Sequence, residues 1–291
     1  MTAQTAVSAR PVRSRRSGPP SRPQRSRSDG HPLGLTSGLG LGVGVLWFSL
    51  LVLIPLAAIV VTASQGGWHA FWQAITNGET ASAIELTAGA AALVTIVNVI
   101  MGTVIAWVLV RDRFFATRVL EFLIDIPFAL PTIVAGLVLL SLYGPRSPVG
   151  WNIANTRTAV FVAFLFVTLP FVVRAVQPVL AEQDREAEEA AASLGAGRFT
   201  VFRRIIVPGL APAIAAGGAL SFARAVSEYG SLVLLSGNLP NRTEVTSVRI
   251  ITFIEGDRLD NAAAVAVVLL LISLVVIVAV DLLQRSVVRR G

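Results

Sequence analysis

The chain has 291 residues, 54% of them apolar and only 14% charged, with a mean hydropathy of +0.72; this is too little charge for a soluble surface, and the apolar residues fall in runs of the ~20 that a hydrocarbon core demands. It has no Cys and no Lys, all 24 basic residues being Arg, and its two histidines, His31 and His69, lie far apart. Disulfides, thiolate chemistry, cysteine or histidine metal sites and a lysine-bearing P-loop are thereby excluded, so the chain is expected to hold no cofactor or metal and to catalyse no covalent chemistry.

Residues 1–37 form an Arg/Ser/Pro-rich head carrying Arg10, Arg13, Arg15, Arg16, Arg22, Arg25 and Arg27. Its composition predicts a disordered cytoplasmic tail against anionic lipid, and the basic balance of +7 is read as topology, not as nucleic-acid binding. Ser14-Arg15-Arg16 has a twin-arginine look, but Gly18-Pro19-Pro20 follows it and the next apolar run is long for a signal peptide. A membrane domain over 38–285 is expected to hold six transmembrane helices, about 39–62, 83–110, 122–143, 159–176, 211–235 and 262–283, with a polar loop at 178–208 and a cytoplasmic tail at 286–291. Trp68, Phe71 and Trp72 fall where an interfacial aromatic belt belongs. Arg111-Asp112-Arg113 stops the second span, and Pro127 and Pro131 predict a kink or break early in the third. Threading these spans puts 18 arginines on one side and 5 on the other. The positive-inside rule then makes both termini and the 178–208 loop cytoplasmic in a multi-pass membrane protein. No internal repeat is visible, so six spans read as half of a pathway.

The loop carries the most information. Ala187, Ala190, Ala191 and Leu194 recur at i, i+3, i+4 and i+7, one face of a helix. Five carboxylates between Glu182 and Glu189 crowd its early turns, and Gly195 stands where a left-handed cap ends it. Periodicity alone fits either a solvated charged helix or a small-residue docking stripe. The finer pattern is Glu189-Ala190-Ala191, three residues, Gly195, nine residues, then Ile205-Ile206-Val207-Pro208. It resembles the E-A-A-x-x-x-G-x9-I-x-L-P loop of ABC importer permeases, with Val207 in place of the usual Leu.

Further segments look like the T subunit of sulfate/thiosulfate ABC permeases: 125–132 (DIPFALPT), 169–174 (LPFVVR), 177–180 (QPVL), 221–230 (SFARAVSEYG), and Gly237-Asn238-Leu239-Pro240 before Thr243-Glu244-Val245. Ser227 stands where that family commonly has Gly. Molybdate/tungstate permeases share the loop and Phe222-Ala223-Arg224, while the extra first span and the 125–132 run favour sulfate. The resemblance implies an all-α type I importer (MetI-like) fold with a cytoplasmic coupling helix. Glu189, Ala190, Ala191, Leu194, Gly195, Ile205 and Pro208 would couple to a separate ABC ATPase dimer that uses Mg-ATP. A second related permease subunit, an extracytoplasmic sulfate-binding protein and membrane lipid would be the other partners.

Arg224 lies near the middle of the expected fifth span, where a charge costs about 2.5–3.5 kcal/mol on insertion scales, and Glu228 follows at i+4. The two form either a self-neutralised structural pair or a pathway cation with its counter-charge. A guanidinium suits a tetrahedral oxyanion because its fork donates two parallel hydrogen bonds, and freed N–H groups near Pro127 and Pro131 would add weak contacts. Glu85 and Asn98 are read as interhelical hydrogen-bonding residues, and Glu255, Asp257 and Asp260 as a solvated outer loop or a binding-protein contact. The rivals from other classes are a gradient-driven anion carrier or channel, whose transport survives loss of ATP, and a membrane enzyme, for which catalytic groups are lacking.

Overall fold

A computed structural model describes residues 35–112 and 115–288; most of the arginine-rich head, Arg113, and Arg289 and Arg290 of the C-terminal tail lie outside the described residues. The chain divides into two units, Met1–Ser49 and Leu50–Gly291. The first holds α1 (Leu35–Phe48), whose large side chains from Leu39 onward are exposed, as a lipid-facing helix requires. The second holds α2 (Ile54–Gln65), α3 (Gly67–Thr76), α4 (Gly78–Arg111), α5 (Thr117–Ala129), α6 (Thr132–Tyr143), α7 (Arg157–Glu182), α8 (Arg185–Ser193), α9 (Arg198–Val201), α10 (Val207–Val226), α11 (Gly230–Leu235), α12 (Thr246–Glu255) and α13 (Leu259–Val288). All described regular structure is helical. Five helical runs are long and apolar enough to cross a membrane, and six if the bent pair α5–α6 counts as one.

The helices begin and end where local chemistry dictates. Asn77 opens α4 by accepting a hydrogen bond from Glu79 N at 3.0 Å, and Arg111 closes it, each sign of charge at the helix end that favours it. Thr156 caps α7 through Ala159 N. Pro131, with no N–H to donate, ends the helical ladder after α5, and α6 departs at 116°.

Three helices make the core. α7 packs on α4 and α10, α10 also meets α4, and 56% of α7's apolar window is buried against 17% for the peripheral α13. Glycines let the backbones close: a Cβ on Gly102 would sit 2.8 Å from Val172 Cβ, and one on Gly217 would sit 2.9 Å from Val172 Cα. One apolar cluster gathers Val94, Phe164, Phe222 and Leu232; a second gathers Ala106, Val173, Leu180, Ile206 and Leu210. On one flank α2 and α3 pack on α13 through Ala63, Ala74, Ala263 and Ala264, leaving Trp68 stacked on Phe71 and Trp72 at the surface.

The break expected early in the third span is present as a sharp corner between two helices. One expected boundary differs. The fifth does not run over 211–235: α10 stops at Val226, and α11 is separate. Ser227 Oγ turns back to Arg224 O at 3.1 Å, and the Glu228 carboxylate accepts from Ser231 N at 3.0 Å, so adjacent residues end one helix and open the next.

Candidate functional site

The loop after α7 is built from its ends inward. α7 runs to Glu182, so the expected loop 178–208 starts with helix, and Gln183 Nε2 donates to Ile206 O at 3.3 Å across the loop's neck. Asp184 caps α8 by accepting from Glu186 N at 2.8 Å. At the other end Gly195 takes φ +86°, its N–H donates to Ala192 O, and Ala196 N donates to Ala191 O, both at 3.0 Å. These paired bonds are a Schellman closure, with Ala191 and Ala196 both packed on the core. Of the alanine face, Ala191 is half-buried, Ala187 and Ala190 are exposed, and Leu194 is 89% exposed. Glu189 also points to solvent. Ile205 is partly buried on the inner cluster, and Pro208 lies in the first turn of α10 after a π-helical turn at Phe202–Ile206. Glu189, Ala190, Ala191, Leu194 and Gly195 are thus brought together on one small protruding helix, while Ile205 and Pro208 belong to its root.

Beside it lies an apolar groove of about 560 Å³, lined by Trp107, Ala192, Ala196, Phe199 and Phe202 with Glu188 and Glu189 on its rim. Trp107 meets Phe202 edge-to-face at 5.7 Å, and Phe199 is 73% exposed. Glu188 turns inward to an ion pair with Arg111, whose guanidinium also lies over Trp107 at 5.4 Å. No sequence pattern signals this pair, because its members lie 77 residues apart.

The candidate pathway residues lie elsewhere. Arg224 is in the last turn of α10, not midway along a span as expected, because the helix ends nine residues early. Its Nη2 lies 2.7 Å from Glu228 Oε2. Glu228 is fully buried, its other oxygen accepting from Ser231 N and Oγ and its carbonyl from Ser247 Oγ at 2.6 Å, whereas the Arg224 side chain stays about a quarter exposed. Pro131 precedes α6, whose first turn abuts Gly230: a Cβ there would lie 2.1 Å from Thr132 Oγ1. Pro127 lies in the last turn of α5, which is held to α7 by Phe128 against Phe171 and by a fork from Arg174 to Asp125. Pro131 therefore approaches the Arg224–Glu228 region through α11, while Pro127 lies on a helix packed against α7.

Two polar clusters lie between these sites. Asn98, fully buried where α4, α7 and α10 cross, donates to Thr168 Oγ1 at 2.7 Å and Ser221 Oγ at 3.3 Å, and its Oδ1 accepts nothing among the described residues. At the opposite end of α4 from Arg111, buried Arg249 pairs with Glu79 at 2.6 Å and stacks on Phe253 at 4.6 Å. Glu244 stands 3.7 Å from the same guanidinium, and burial raises its pKa above the ordinary carboxylate range despite Arg249. Glu85, expected to bond between helices, is exposed in a cleft of about 710 Å³ with Arg157.

Residues 98–290 match the family model of binding-protein-dependent transport system inner membrane components. A Salmonella typhimurium protein named as the sulfate transport system permease protein CysT is 40% identical over 259 residues, 87% of this chain and 94% of its own length. One so named from Synechocystis is 42% identical over 84% of this chain and 87% of its own. A bacterial alginate ABC transporter solved with its pentasaccharide-bound periplasmic protein superposes at TM-score 0.71, covering 86% of this chain and 94% of that one at 16% identity, a likeness of fold alone.

Proposed function

The chain belongs to the family of binding-protein-dependent inner membrane transport components, and from that membership we propose that it is a permease half of an ATP-driven sulfate importer, with thiosulfate as a second cargo. The observation that carries the reading is 40% identity across 87% of the chain to a protein named as a sulfate transport permease. A capped, exposed helix at the family's coupling loop supports it.

In this reading α8 seats in a partner ATPase, which binds Mg-ATP. Leu194 and Phe199 fill apolar depressions, and Glu189 pairs with a partner cation. The Schellman closure makes the helix stiff enough to transmit force. A second, related permease chain completes the pathway, and an extracytoplasmic binding protein delivers the oxyanion to the side of the membrane opposite α8. Arg224 lines the route. With Glu228 cancelling its charge, the fork holds a dianion weakly enough to release it, as a conducting site must. The α6 end after Pro131 adds backbone N–H donors.

The test is uptake of labelled sulfate into proteoliposomes holding this chain, its partner permease, the ATPase and the binding protein. ATP-dependent uptake that thiosulfate competes with, and that molybdate does not, is expected. Uptake driven by an ion gradient without ATP would overturn the reading, and preferential competition by molybdate would move the cargo to that oxyanion. Arg224→Gln should cut uptake roughly ten- to a hundredfold, matching the ~1.5–3 kcal/mol of one charge-assisted contact, with the complex intact by gel filtration. Loss of the folded chain instead would make the pair structural.

A further inference from the structure

α4 is 34 residues long without a proline and spans about 51 Å at 1.5 Å per residue, more than the bilayer with its headgroups. Its neighbours carry prolines or a break: α7 contains Pro170 and Pro178, α10 contains Pro212, and α5–α6 is broken at Pro131. α4 alone of the three core helices contains no proline, and it is fastened at three levels. At its C-terminal end Arg111, largely buried, holds Glu188 of α8. Midway, Asn98 bonds to α7 and α10. At its N-terminal end Glu79 holds Arg249 of α12, Thr246 N donates to Thr87 Oγ1 at 2.9 Å, and Thr246 Oγ1 donates to Ala83 O at 3.1 Å. The next residue, Ser247, donates to the carbonyl of Glu228, the partner of Arg224.

A contiguous chain of contacts thus runs from the protruding helix through α4 to the candidate pathway residues. The chain-neighbours of α8 offer no such side-chain fastening among the described residues: toward α7 there is Gln183, which bonds to Ile206, not to α8. We propose that α4 transmits ATPase motion across the membrane, and that Arg111 is the positioning residue joining it to the coupling helix. This rests on the coupling reading above and adds which helix is moved and by which contact. An ion pair suits the joint because both partners are mostly shielded from water, where removing one leaves the other buried and unpaired. Arg111 is further fixed over Trp107, which limits its freedom to let go.

The test uses the complete reconstituted complex with wild type, Arg111→Gln, Arg111→Lys, and the exchange Arg111→Glu with Glu188→Arg. Arg111→Gln should keep the ATPase bound and hydrolysing ATP, while ions moved per ATP fall roughly five- to tenfold, the size of one coupling contact. Arg111→Lys and the exchange should recover most of the ratio. Because the chain lacks cysteine, Ser82→Cys with Asn241→Cys, whose native side chains lie 3.2 Å apart at the far end of α4, gives a second readout. ATP should change their cross-linking in the wild-type background and not beside Arg111→Gln. An unchanged ion-to-ATP ratio, or ATP-sensitive cross-linking that survives Arg111→Gln, overturns the role of α4. Failure of the wild-type chain to bind any ATPase would overturn the coupling reading itself.

Discussion

Single buried polar residues decide how the helices lock. Asn98 donates to Thr168 and Ser221, but Thr168 also bonds to its own helix at Phe164 O. Asn98→Ala therefore removes interhelical bonds worth about 0.6–1.7 kcal/mol and opens a small void. Thermal unfolding in detergent should show a Tm lower by several degrees, with insertion unaffected. Glu244 makes a prediction of opposite sign. Burial raises its pKa from an ordinary value near 4.5, so the fold favours its protonated form. Its contribution is most favourable below that value and is lost as pH climbs through the raised pKa. Glu244→Gln should match wild type in acid and exceed it at neutral pH, and a Tm that falls equally with pH in both proteins would contradict this. Asn98 was legible as a lone amide in an apolar span. The Glu79–Arg249–Glu244 cluster was not, since Arg249 lies 170 positions from Glu79 and counted in the sequence only as an outer-side charge.

Among elements, α8 was the most legible, because alanine period, early carboxylates and Gly195 all act within a dozen residues. Its closure is also the easiest to break. Gly195 has φ +86° with open space where a Cβ would stand, so only the backbone objects to substitution. Gly195→Val costs about 1–2 kcal/mol of left-handed strain, frays α8, and should weaken ATPase co-purification while leaving total membrane protein unchanged. Gly230 is the reverse case. A Cβ there would strike Thr132 Oγ1 at 2.1 Å and Ile133 N at 2.8 Å, and only the first can be trimmed away. Gly230→Ala should reduce folded yield even with Thr132→Ala, as size-exclusion profiles would record. The corner at Pro131 could be read from proline chemistry, whereas the end of α10 at Val226 could not. Ser227-Glu228-Tyr229-Gly230 is a polar dip only four residues long, which a span-length average smooths over, and what breaks the helix is Glu228 bonding onward to Ser231.

At the scale of the whole molecule, six apolar segments were visible as composition, but which of them form the core was not. α4, α7 and α10 are no more apolar than α13; they are central because small residues and the Asn98 contacts let them close on one another. Orientation rests on charge alone, 18 arginines against 5, and it sets which end of α4 would meet the proposed ATPase. The natural absence of cysteine makes this directly measurable. Ser193, on the exposed α8, and Val149, exposed between α6 and α7, should lie on opposite sides. In intact cells stripped of any outer membrane, Val149→Cys should react with a membrane-impermeant maleimide, and Ser193→Cys only after lysis. Overexpressed ATPase should then slow the Ser193→Cys reaction, since docking covers α8. Labelling of Ser193→Cys from outside would invert the arginine count, leave α8 out of reach of any cytoplasmic ATPase, and remove the physical basis for calling α4 the lever.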